Sequence, residues 1–417
     1  MTMAGLVTTA YRGLTGAVLA IGDELLLGDI VNSNAAWLGE ALAGVGVAVV
    51  HSAMVGDDVS RLATALRRAV QDADVVVLTG GLGPTSDDVT RDALAQVAAV
   101  PLERRPELEQ ELRDRFASYG FAMPAQVFRQ ADVPRGARAL YNPVGSAPGL
   151  RLELDGRLVV ALPGPPHEMR AVAQAHLLPE LASRTRAVLT TRTLRCAGTG
   201  ESSVAELVEA TVQLPAGVAL AYLAGGGIVR VRFTTAGDPA VLEPLVEACA
   251  AALGDDVFGQ DDQTLPGVVG RLLAARGQTV ATAESLTGGL LGAALSELPG
   301  SSATYRGGLV VYATDAKASV AGVSEEILGA YGAVSEQTAT ALAEGARTRL
   351  GADWAISTTG VAGPQEQEGK SVGTIHLAVA GPSGGRVRSL QVPGDRERVR
   401  VLAVTAGLDL LRRCLLT

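Results

Sequence analysis

Apolar runs alternate with amphipathic segments along the first part of the chain. The runs GAVLAIG, VAVVHSAMVG and DVVVLTGG have the length and β-branched content of strands, whereas NAAWLGEALAGVG and VSRLATALRRAVQDA have helical spacing. Strands that are apolar on both faces and separated by helices are typical of a parallel sheet. The pattern therefore predicts an α/β domain whose polar turns follow the strands, where such sheets bind ligands.

The pattern changes in the middle of the chain and then returns. Shorter strand-like runs such as VALAYLA and IVRVRFTTAG lie beside helical patterns such as ESSVAELVEATV, which predicts a small α+β module with antiparallel strands. Alternating strand and helix patterns follow, and the chain ends in an amphipathic helix. The sequence thus predicts an α/β protein with domains at residues 1–168, 169–257 and 258–417.

Composition limits the class of protein. The chain of 417 residues carries a net charge of −9 and has no basic run, which disfavours nucleic acid as a partner. No stretch of about 20 apolar residues is free of Gly, Pro or charge, so no membrane span is expected. The first sixteen residues resemble a loose extension, not a secretion signal, and the three cysteines lack a paired pattern. We therefore expect a cytoplasmic location.

Lysine is scarce in this chain. Only Lys317 and Lys370 stand among the 35 basic residues, and all the others are arginines. Burial can lower the pKa of a lysine until its amine is a neutral base, which arginine cannot become. A retained lysine is therefore a candidate for chemistry, although survival of two surface lysines by chance explains the count equally well.

A glycine-rich segment, TGGLGPTSDDVT at residues 79–90, follows the strand-like DVVVL and precedes a helical pattern. Glycines allow backbone amides to approach an anion, and a helix N-terminus favours negative charge. We therefore expect a phosphate-bearing ligand here. Asp87 and Asp88 would repel a phosphate and are better suited to a divalent cation or a ribose hydroxyl. The alternative is that they cap the helix.

Three further motifs occur elsewhere in the same domain: GDELL (22–26), NPVGSAPG (142–149) and LPGPPHEM (162–169). Together the four resemble the molybdopterin-binding fold in the form used by the CinA family. The resemblance implies hydrolysis of the pyrophosphate bond of ADP-ribose with a divalent metal. It assigns acidic groups to Glu24, Asp87 and Asp88, and a phosphate cradle to Gly80, Gly81, Gly83 and Thr85.

Two residues depart from that family's pattern, and the middle module carries a separate resemblance. Ser146 stands where the family commonly has Thr, and Arg129 where it commonly has Lys. The middle module resembles the KH-type domain that joins the two catalytic parts of CinA proteins. KH domains bind nucleic acid through a GXXG loop, which the sequence Gly198-Thr199-Gly200-Glu201 does not provide. We expect a structural connector.

Ser285 lies in AESLTGG, between the strand-like QTVATA and the helix-like LLGAALSEL. A serine at such a turn is exposed at the sheet edge with backbone amides behind it, as acyl transfer requires, although simple N-capping is the alternative. The motif VVYATDAK brings Lys317 as a possible base. The usual base is histidine, and His376, the one histidine of this domain, is expected to face solvent or a satisfied core position.

The C-terminal third, from Thr264 to Leu416, resembles the nicotinamide-nucleotide amidohydrolases that form the CinA C-terminal domain. AESLTGG, VYATDAK, GAVSEQTA, STTGVAGP, VGTI and PGDR occur in that order. The resemblance implies a serine amidohydrolase without metal or organic cofactor. Its residues are Ser285 as nucleophile, Lys317 as base, Tyr312 as assistant, and Thr359 and Arg396 as substrate contacts. From the turn geometry we expect the amides of Gly288 and Gly289 to receive the oxyanion.

These observations lead to one leading hypothesis and two alternatives. The leading hypothesis is a pyridine-nucleotide salvage enzyme whose partners are nicotinamide mononucleotide and ADP-ribose, and whose family suggests a homodimer. The first alternative is a scaffold in DNA uptake or the damage response, with vestigial sites. The second is molybdopterin handling by the first domain, which rests on fold analogy alone.

Overall fold

The computed structural model describes residues 13–118, 120, 122–185 and 189–417. It divides into two compact units, the first formed mainly by residues up to Thr190 and the second mainly by residues from Thr191 onward. Most of the predicted N-terminal extension lies outside the described residues. The described part of it consists of Gly13, which lies in a bend, and the first residues of a strand that begins at Leu14.

The first unit alternates strands with helices, as the apolar pattern predicts. A 3-10 turn, Ala125–Ala131, and a π-helical turn, Ala173–Leu177, interrupt the regular elements. The strands are β1 (Leu14–Ile21), β2 (Val47–Val55), β3 (Val75–Thr79), β4 (Leu102–Arg104), β5 (Asp132–Pro134), β6 (Arg138–Leu140), β7 (Gly149–Leu154) and β8 (Arg157–Leu162). The helices are α1 (Asp23–Leu27), α2 (Ser33–Gly44), α3 (Val59–Asp72), α4 (Thr90–Ala98), α5 (Pro106–Ser118), α6 (Pro166–Val172) and α7 (Leu178–Arg184).

The main sheet of this unit has the strand order β2-β1-β3-β8-β7-β6. The prediction of a parallel sheet is confirmed for β2, β1, β3 and β8. It is wrong for β7, which runs antiparallel to β8, and for β6, which runs antiparallel to β7. Asp155 and Gly156 join β7 directly to β8 with φ values of 50° and 76°. A turn this short closes a hairpin, so β7 must run against β8.

The helical segment from Pro166 to Arg184 belongs to the core of the first unit. Met169, Val172, Leu177 and Leu181 are fully buried in one cluster with Val18 and other apolar residues of the sheet. The predicted boundary between residues 168 and 169 therefore falls inside α6. An apolar helix face that continues through this position keeps the whole segment on the first sheet.

The remainder of the chain forms two more sheets. No helix among the described residues has the length and hydropathy needed to cross a membrane. The strands are β9 (Thr190–Ala197), β10 (Val218–Gly225), β11 (Ile228–Thr235), β12 (Val257–Gln260), β13 (Val280–Glu284), β14 (Tyr305–Val310), β15 (Trp354–Gly360), β16 (Thr374–Gly381) and β17 (Gly384–Gln391). The helices are α8 (Glu201–Thr211), α9 (Leu242–Leu253), α10 (Leu265–Arg276), α11 (Leu290–Ser296), α12 (Thr314–Ser319), α13 (Glu325–Tyr331), α14 (Glu336–Leu350) and α15 (Arg396–Leu416), with 3-10 turns at Pro239–Val241, Gly254–Asp256 and Ser301–Ala303.

The predicted α+β module and the second α/β domain are both present. The order β10-β11-β9-β12 describes the smaller sheet, in which β9 and β12 are antiparallel. The larger sheet has the order β14-β13-β15-β16-β17, with β13 parallel to both of its neighbours. Ile356 packs with α10 and α15, whereas Ala355 packs with α14. Successive residues of β15 thus face opposite helix layers, which makes β15 a central, fully covered strand.

A buried carboxylate ties α15 to the residues that precede β12. Asp409 is fully buried, and its oxygens accept hydrogen bonds from Arg412 at 2.7 Å and from Arg413 at 2.8 Å. Arg412 also donates to the Asp255 carbonyl, and Arg413 donates to the Asp256 carboxylate at 2.7 Å. Because buried charges require such partners, this network fixes the C-terminal helix on the connector.

Candidate active sites

Ser285 follows directly after the last residue of β13, at the carboxyl end of the parallel strands. Its side chain is 8% exposed. Its backbone N–H donates to the Thr358 carbonyl of β15 at 2.9 Å, which holds the turn against the neighbouring strand. The serine hydroxyl is therefore presented at the edge of the sheet, where open α/β sheets bind ligands.

Lys317 lies on the short helix α12 and is only 2% exposed. Its Nζ lies 3.0 Å from Ser285 Oγ, 3.0 Å from the Val311 carbonyl and 3.2 Å from the Tyr312 carbonyl. Burial lowers the pKa of Lys317 to about 8, although the charge of Glu368 acts in the opposite direction. The amine is therefore much closer to its neutral form at physiological pH than an exposed lysine is.

A cavity of about 250 Å³ opens over this pair. Ser285, Lys317, Tyr312, Thr359 and Arg396 all line it, so these five predicted residues of the C-terminal site meet in one place. Arg396 donates to Tyr312 Oη at 2.5 Å. The Thr359 hydroxyl donates to the Ala333 carbonyl at 2.6 Å. The Tyr312 phenol thus contacts Arg396, whereas its carbonyl contacts Lys317.

The amides of Gly288 and Gly289 do not have the predicted role. The N–H of Gly288 donates to the Ser285 carbonyl at 3.0 Å, and that of Gly289 donates to the Glu284 carboxylate at 2.9 Å. Neither N–H is free to receive an oxyanion, so this prediction is corrected. Both glycines have positive φ, 58° and 101°, and their contribution is the conformation of the turn. Among the described residues, the N–H groups of Leu286 and Thr287 have no protein acceptor.

Glu284 explains why the glycine amides are occupied. Its buried carboxylate accepts hydrogen bonds from the N–H groups of Gly289, Leu291 and Gly292 at 2.9, 2.9 and 2.7 Å. These are N–H groups at the start of α11, which have no partner within the helix. The sequence reasoning missed Glu284, although a carboxylate at the end of a buried strand was a signal that could have found it.

The first unit contains a separate cavity of about 430 Å³ at the carboxyl ends of its parallel strands. Gly80, Gly81 and Gly83 line it, as the glycine-rich motif predicts, whereas Thr85, the fourth residue of the predicted phosphate cradle, is not part of the lining. Gly80 has a φ of 105°, and a Cβ there would lie 2.4 Å from the Ile21 carbonyl oxygen. A side chain at this position would distort the backbone, so the close approach of β1 and the turn after β3 requires glycine.

Asp88 organises the loop and has little capacity left for other ligands. One oxygen accepts from the Gly83 N–H at 2.7 Å, and the other accepts from the Thr85 N–H at 2.8 Å and the Thr85 hydroxyl at 2.6 Å. The residue at the N-cap of α4 is Val89, without a side-chain hydrogen bond. Asp88 therefore stabilises the preceding loop, and it does not cap α4.

Arg91 and Arg129 hold the same loop from outside the cavity. Arg91 is buried and donates to the carbonyls of Leu82 and Gly83. Burial lowers the pKa of Arg91 to about 10. Arg129 donates to the Thr85 carbonyl at 2.6 Å and to Asp92 at 2.7 Å. The two terminal nitrogens of Arg129 thus join the loop to α4, a fork geometry that a lysine lacks.

Three carboxylates remain around the cavity for a divalent cation. Glu24 and Asp87 line it as predicted, and so does Asp57, which the sequence reasoning missed. Burial raises the pKa of Asp57, and the nearby charges of Asp23, Glu24 and Asp87 raise it further, against a backbone hydrogen bond from Asp23. Within the described ranges, no three acidic, His or Cys side chains are arranged to hold an ion by themselves. The donor set fits an ion only if a diphosphate supplies further oxygens, which is how Mg²⁺ is commonly bound.

Asn34 presents a fixed amide at the wall of this cavity. Its nitrogen donates to the Gly164 carbonyl at 2.7 Å and to Thr79 Oγ1 at 3.0 Å. The Thr79 hydroxyl itself donates to the Pro163 carbonyl, so it can only accept from Asn34. The Asn34 Oδ1 is consequently buried without a partner in the part of the chain that the structure describes. A hydroxyl or amine of a ligand is the kind of group that would satisfy it.

Comparison with known proteins accounts for nearly the whole chain. Three family models match it in succession: the probable molybdopterin binding domain at residues 17–183, the damage-inducible protein CinA KH domain at 191–259, and the CinA C-terminal domain at 262–415. A CinA-like protein from Frankia casuarinae is 51% identical over 413 residues, which cover 95% of each chain. The chain belongs to the CinA family.

A second relative of nearly the same coverage agrees with this membership. A putative competence-damage inducible protein from Symbiobacterium thermophilum is 44% identical over 415 residues, covering 95% of this CinA-family chain and 97% of the relative. A crystal structure described as the protein CinA with unknown function, from Thermoplasma acidophilum, is 34% identical, with a TM-score of 0.38. It covers 40% of this chain and 98% of its own.

In this CinA-family chain, His376 lies outside the cavity beside Ser285. Its Nδ1 lies 2.7 Å from Ser389 Oγ, and that hydroxyl donates to Glu336 at 2.6 Å. Because the Glu336 carboxylate can only accept, the proton between His376 and Ser389 belongs to the imidazole. The half-buried histidine is therefore satisfied away from the nucleophile, as the sequence predicts.

Proposed function

We propose that the C-terminal domain is a serine amidohydrolase that converts nicotinamide mononucleotide to nicotinate mononucleotide and ammonia. The observation that carries this proposal is the 3.0 Å contact between a buried Lys317 Nζ and Ser285 Oγ, in a cavity with Thr359 and Arg396. A serine needs a base before it can attack an amide, and a desolvated lysine is such a base. The choice of substrate rests on the family resemblance of the surrounding motifs.

The contacts of Lys317 determine the direction of proton transfer. A neutral amine has two N–H groups and one lone pair, and the Val311 and Tyr312 carbonyls accept both N–H groups. The lone pair is then directed to Ser285 Oγ, whose proton it accepts as Oγ attacks the amide carbon. The protonated Lys317 returns that proton to the leaving nitrogen, and ammonia departs. Water then attacks the acyl-enzyme and gives its proton to Lys317, and the proton returns to Ser285 Oγ as the C–O bond breaks.

The oxyanion of this reaction requires donors beside Ser285. With the Gly288 and Gly289 amides occupied, the N–H groups of Leu286 and Thr287 are the ones without a protein acceptor among the described residues. Leu286 lines the cavity together with Ser285. The amide of the residue after the nucleophile is a common oxyanion donor in serine hydrolases. We therefore assign the oxyanion to this turn, with the Leu286 N–H as the donor that lies at the cavity.

Ammonia release from nicotinamide mononucleotide tests the proposal. We expect the purified protein to release ammonia equally with and without a metal chelator, and Ser285→Ala to lower the rate by about 1000-fold or more, because the nucleophile is lost. Thermal unfolding of the variant is the folding control. A well-folded wild-type protein that releases no ammonia would instead favour the competence or DNA-damage role that the relatives' names suggest.

We further propose that the first domain binds ADP-ribose and hydrolyses its pyrophosphate bond. The glycine turn at Gly80 and Gly81 supports binding of a diphosphate, and the unpartnered Asn34 Oδ1 supports a ligand that also carries hydroxyl or amine donors. A divalent cation held by Glu24 and Asp87 together with diphosphate oxygens would neutralise the charge of the reacting phosphates. Asp88 and Arg91 keep the loop in the shape that receives them.

Asp88→Asn should lower AMP release from ADP-ribose about tenfold or more. The amide replaces an oxygen that accepts hydrogen bonds by a nitrogen that donates, so one side of the loop loses its partners. The matched control is Asp72→Asn, an exposed position at the end of α3 that should leave the rate unchanged. Both are measured with added Mg²⁺ and with chelator. Unchanged AMP release by Asp88→Asn would remove the loop from the reaction.

A further inference from the structure

Arg400 reaches from α15 to the turn that carries Ser285. Its Nε donates to the Leu286 carbonyl at 3.1 Å, and its Nη2 donates to the Thr287 carbonyl at 2.9 Å. The two partners are more than 110 positions away in the sequence. The side chain is half-buried, and no carboxylate of the described residues forms an ion pair with it. The Arg400 guanidinium is partly removed from water and donates to two adjacent carbonyls, so these hydrogen bonds hold it on that turn.

The two contacts determine where the neighbouring N–H groups point. In a trans peptide the C=O and the following N–H point in opposite directions, so a fixed Leu286 carbonyl fixes the Thr287 N–H on the side away from Arg400. The Thr287 carbonyl fixes the Gly288 N–H in the same way, and that N–H closes the turn onto the Ser285 carbonyl. The Thr287 hydroxyl lies 2.7 Å from the Thr358 hydroxyl, which holds the same residue from its side chain.

Arg400 therefore complements Glu284. The Glu284 carboxylate binds the N–H groups of Gly289, Leu291 and Gly292 after the turn. The Arg400 guanidinium binds carbonyls within the turn. Between them they occupy the polar groups around Leu286 and Thr287, and leave the N–H groups of these two residues free among the described residues. Preorganised donors of this kind cost no reorganisation when charge develops, which is why they stabilise a transition state more than a ground state.

We propose that Arg400 is a positioning residue of the amidohydrolase, which aligns the Leu286–Thr287 peptide groups to stabilise the oxyanion. This inference rests on the proposed deamidation by Ser285 and Lys317, and it adds a requirement to it. Arg400 acts through the turn and does not contact the substrate. Arg396 lies one helical turn earlier in α15 and lines the cavity itself. The same helix thus contributes one arginine to the cavity and another to the loop that follows Ser285.

The test compares Arg400→Gln and Arg400→Lys with Arg398→Gln, an exposed position of the same helix. With nicotinamide mononucleotide we expect Arg400→Gln to lower kcat about 30- to 100-fold while KM changes less than about twofold, since the lost interaction belongs to the transition state. The kcat of Arg400→Lys should lie between those of wild type and Arg400→Gln, because a lysine ammonium can donate well to only one of the two carbonyls. Arg398→Gln should match wild type, and nicotinate mononucleotide should bind all variants equally.

A second assay keeps the inference separate from the choice of substrate. With p-nitrophenyl acetate, Ser285 Oγ forms a bond to the acetyl carbon, p-nitrophenolate leaves, and Lys317 takes the serine proton. The acetyl-enzyme is measured by intact-protein mass spectrometry, and Ser285→Ala serves as the blank. We expect slower acetylation in Arg400→Gln even if nicotinamide mononucleotide proves not to be a substrate. The inference would be overturned if Arg400→Gln kept the wild-type kcat and acetylation rate. It would also be overturned if this variant lost affinity for substrate and product equally.

Discussion

Lys317→Arg should lower kcat/KM for nicotinamide mononucleotide by about 1000-fold or more, close to the loss in Ser285→Ala. Arginine retains the positive charge but stays protonated, so it cannot accept the proton of Ser285 Oγ. The planar guanidinium would also have to fit among Ser285 and the Val311 and Tyr312 carbonyls, which lie within 3.2 Å of the amine. The measurement is steady-state ammonia release.

Lys370→Arg provides the matched control for this prediction. It is the other lysine of the chain, it is exposed, and its side chain is not part of the cavity. We expect it to keep wild-type kcat/KM, so that loss of activity depends on the position and not on the loss of any lysine. A Lys317→Arg protein as active as wild type would exclude the Ser–Lys pair.

The pH dependence of the same reaction should follow the protonation of Lys317. Its pKa of about 8 describes the free enzyme, and only the neutral amine accepts the serine proton. Below that pH, kcat/KM should rise about tenfold per unit, and above it the rate should level off, so the increase from pH 6 to pH 8 is about 50-fold. Initial rates in buffers of constant ionic strength measure the profile.

Glu368→Gln offers an internal check on the assignment of this pKa. The charge of Glu368 favours the protonated amine, so its removal should lower the pKa of Lys317 and move the rising limb to lower pH. Glu368 also accepts a hydrogen bond from the Val334 N–H at 3.2 Å, which the amide oxygen of glutamine can still accept. A profile that rises through pH 6.5 in wild type and stays there in Glu368→Gln would point to a histidine base.

The apolar periodicity of the chain predicts its α/β class well, because strand and helix faces are set by residues close in sequence. It predicts the topology less well. The turn at Asp155–Gly156 reverses the chain after β7, and reading it as a hairpin would have predicted the antiparallel strands. The apolar face that continues from Met169 to Leu181 likewise shows why a boundary drawn from the change in strand and helix pattern falls inside a helix.

The candidate site shows the same division between local and distant information. Ser285 is predicted from a local turn motif and Lys317 from the scarcity of lysine in the whole chain, and neither prediction requires knowing which distant residues come into contact. The availability of the Gly288 and Gly289 amides could not be found in that way, since it depends on where the Glu284 side chain folds back. The contact of Arg400 with the turn joins residues over 110 positions apart, which no spacing rule predicts.

The Asp409 network also bears on how the second unit unfolds. Arg412 and Arg413 connect α15 to Asp255 and Asp256, just before the predicted domain boundary between residues 257 and 258. Opening the connector would remove the Asp255 and Asp256 acceptors from these arginines and leave them with Asp409 on their own helix. Loss of partners by buried charges carries a high free-energy penalty. We therefore expect the connector and the C-terminal domain to share one cooperative transition, although sequence families treat them as separable pieces. The helix that bears Arg396 and Arg400 is thus only as stable as the connector that anchors its far end.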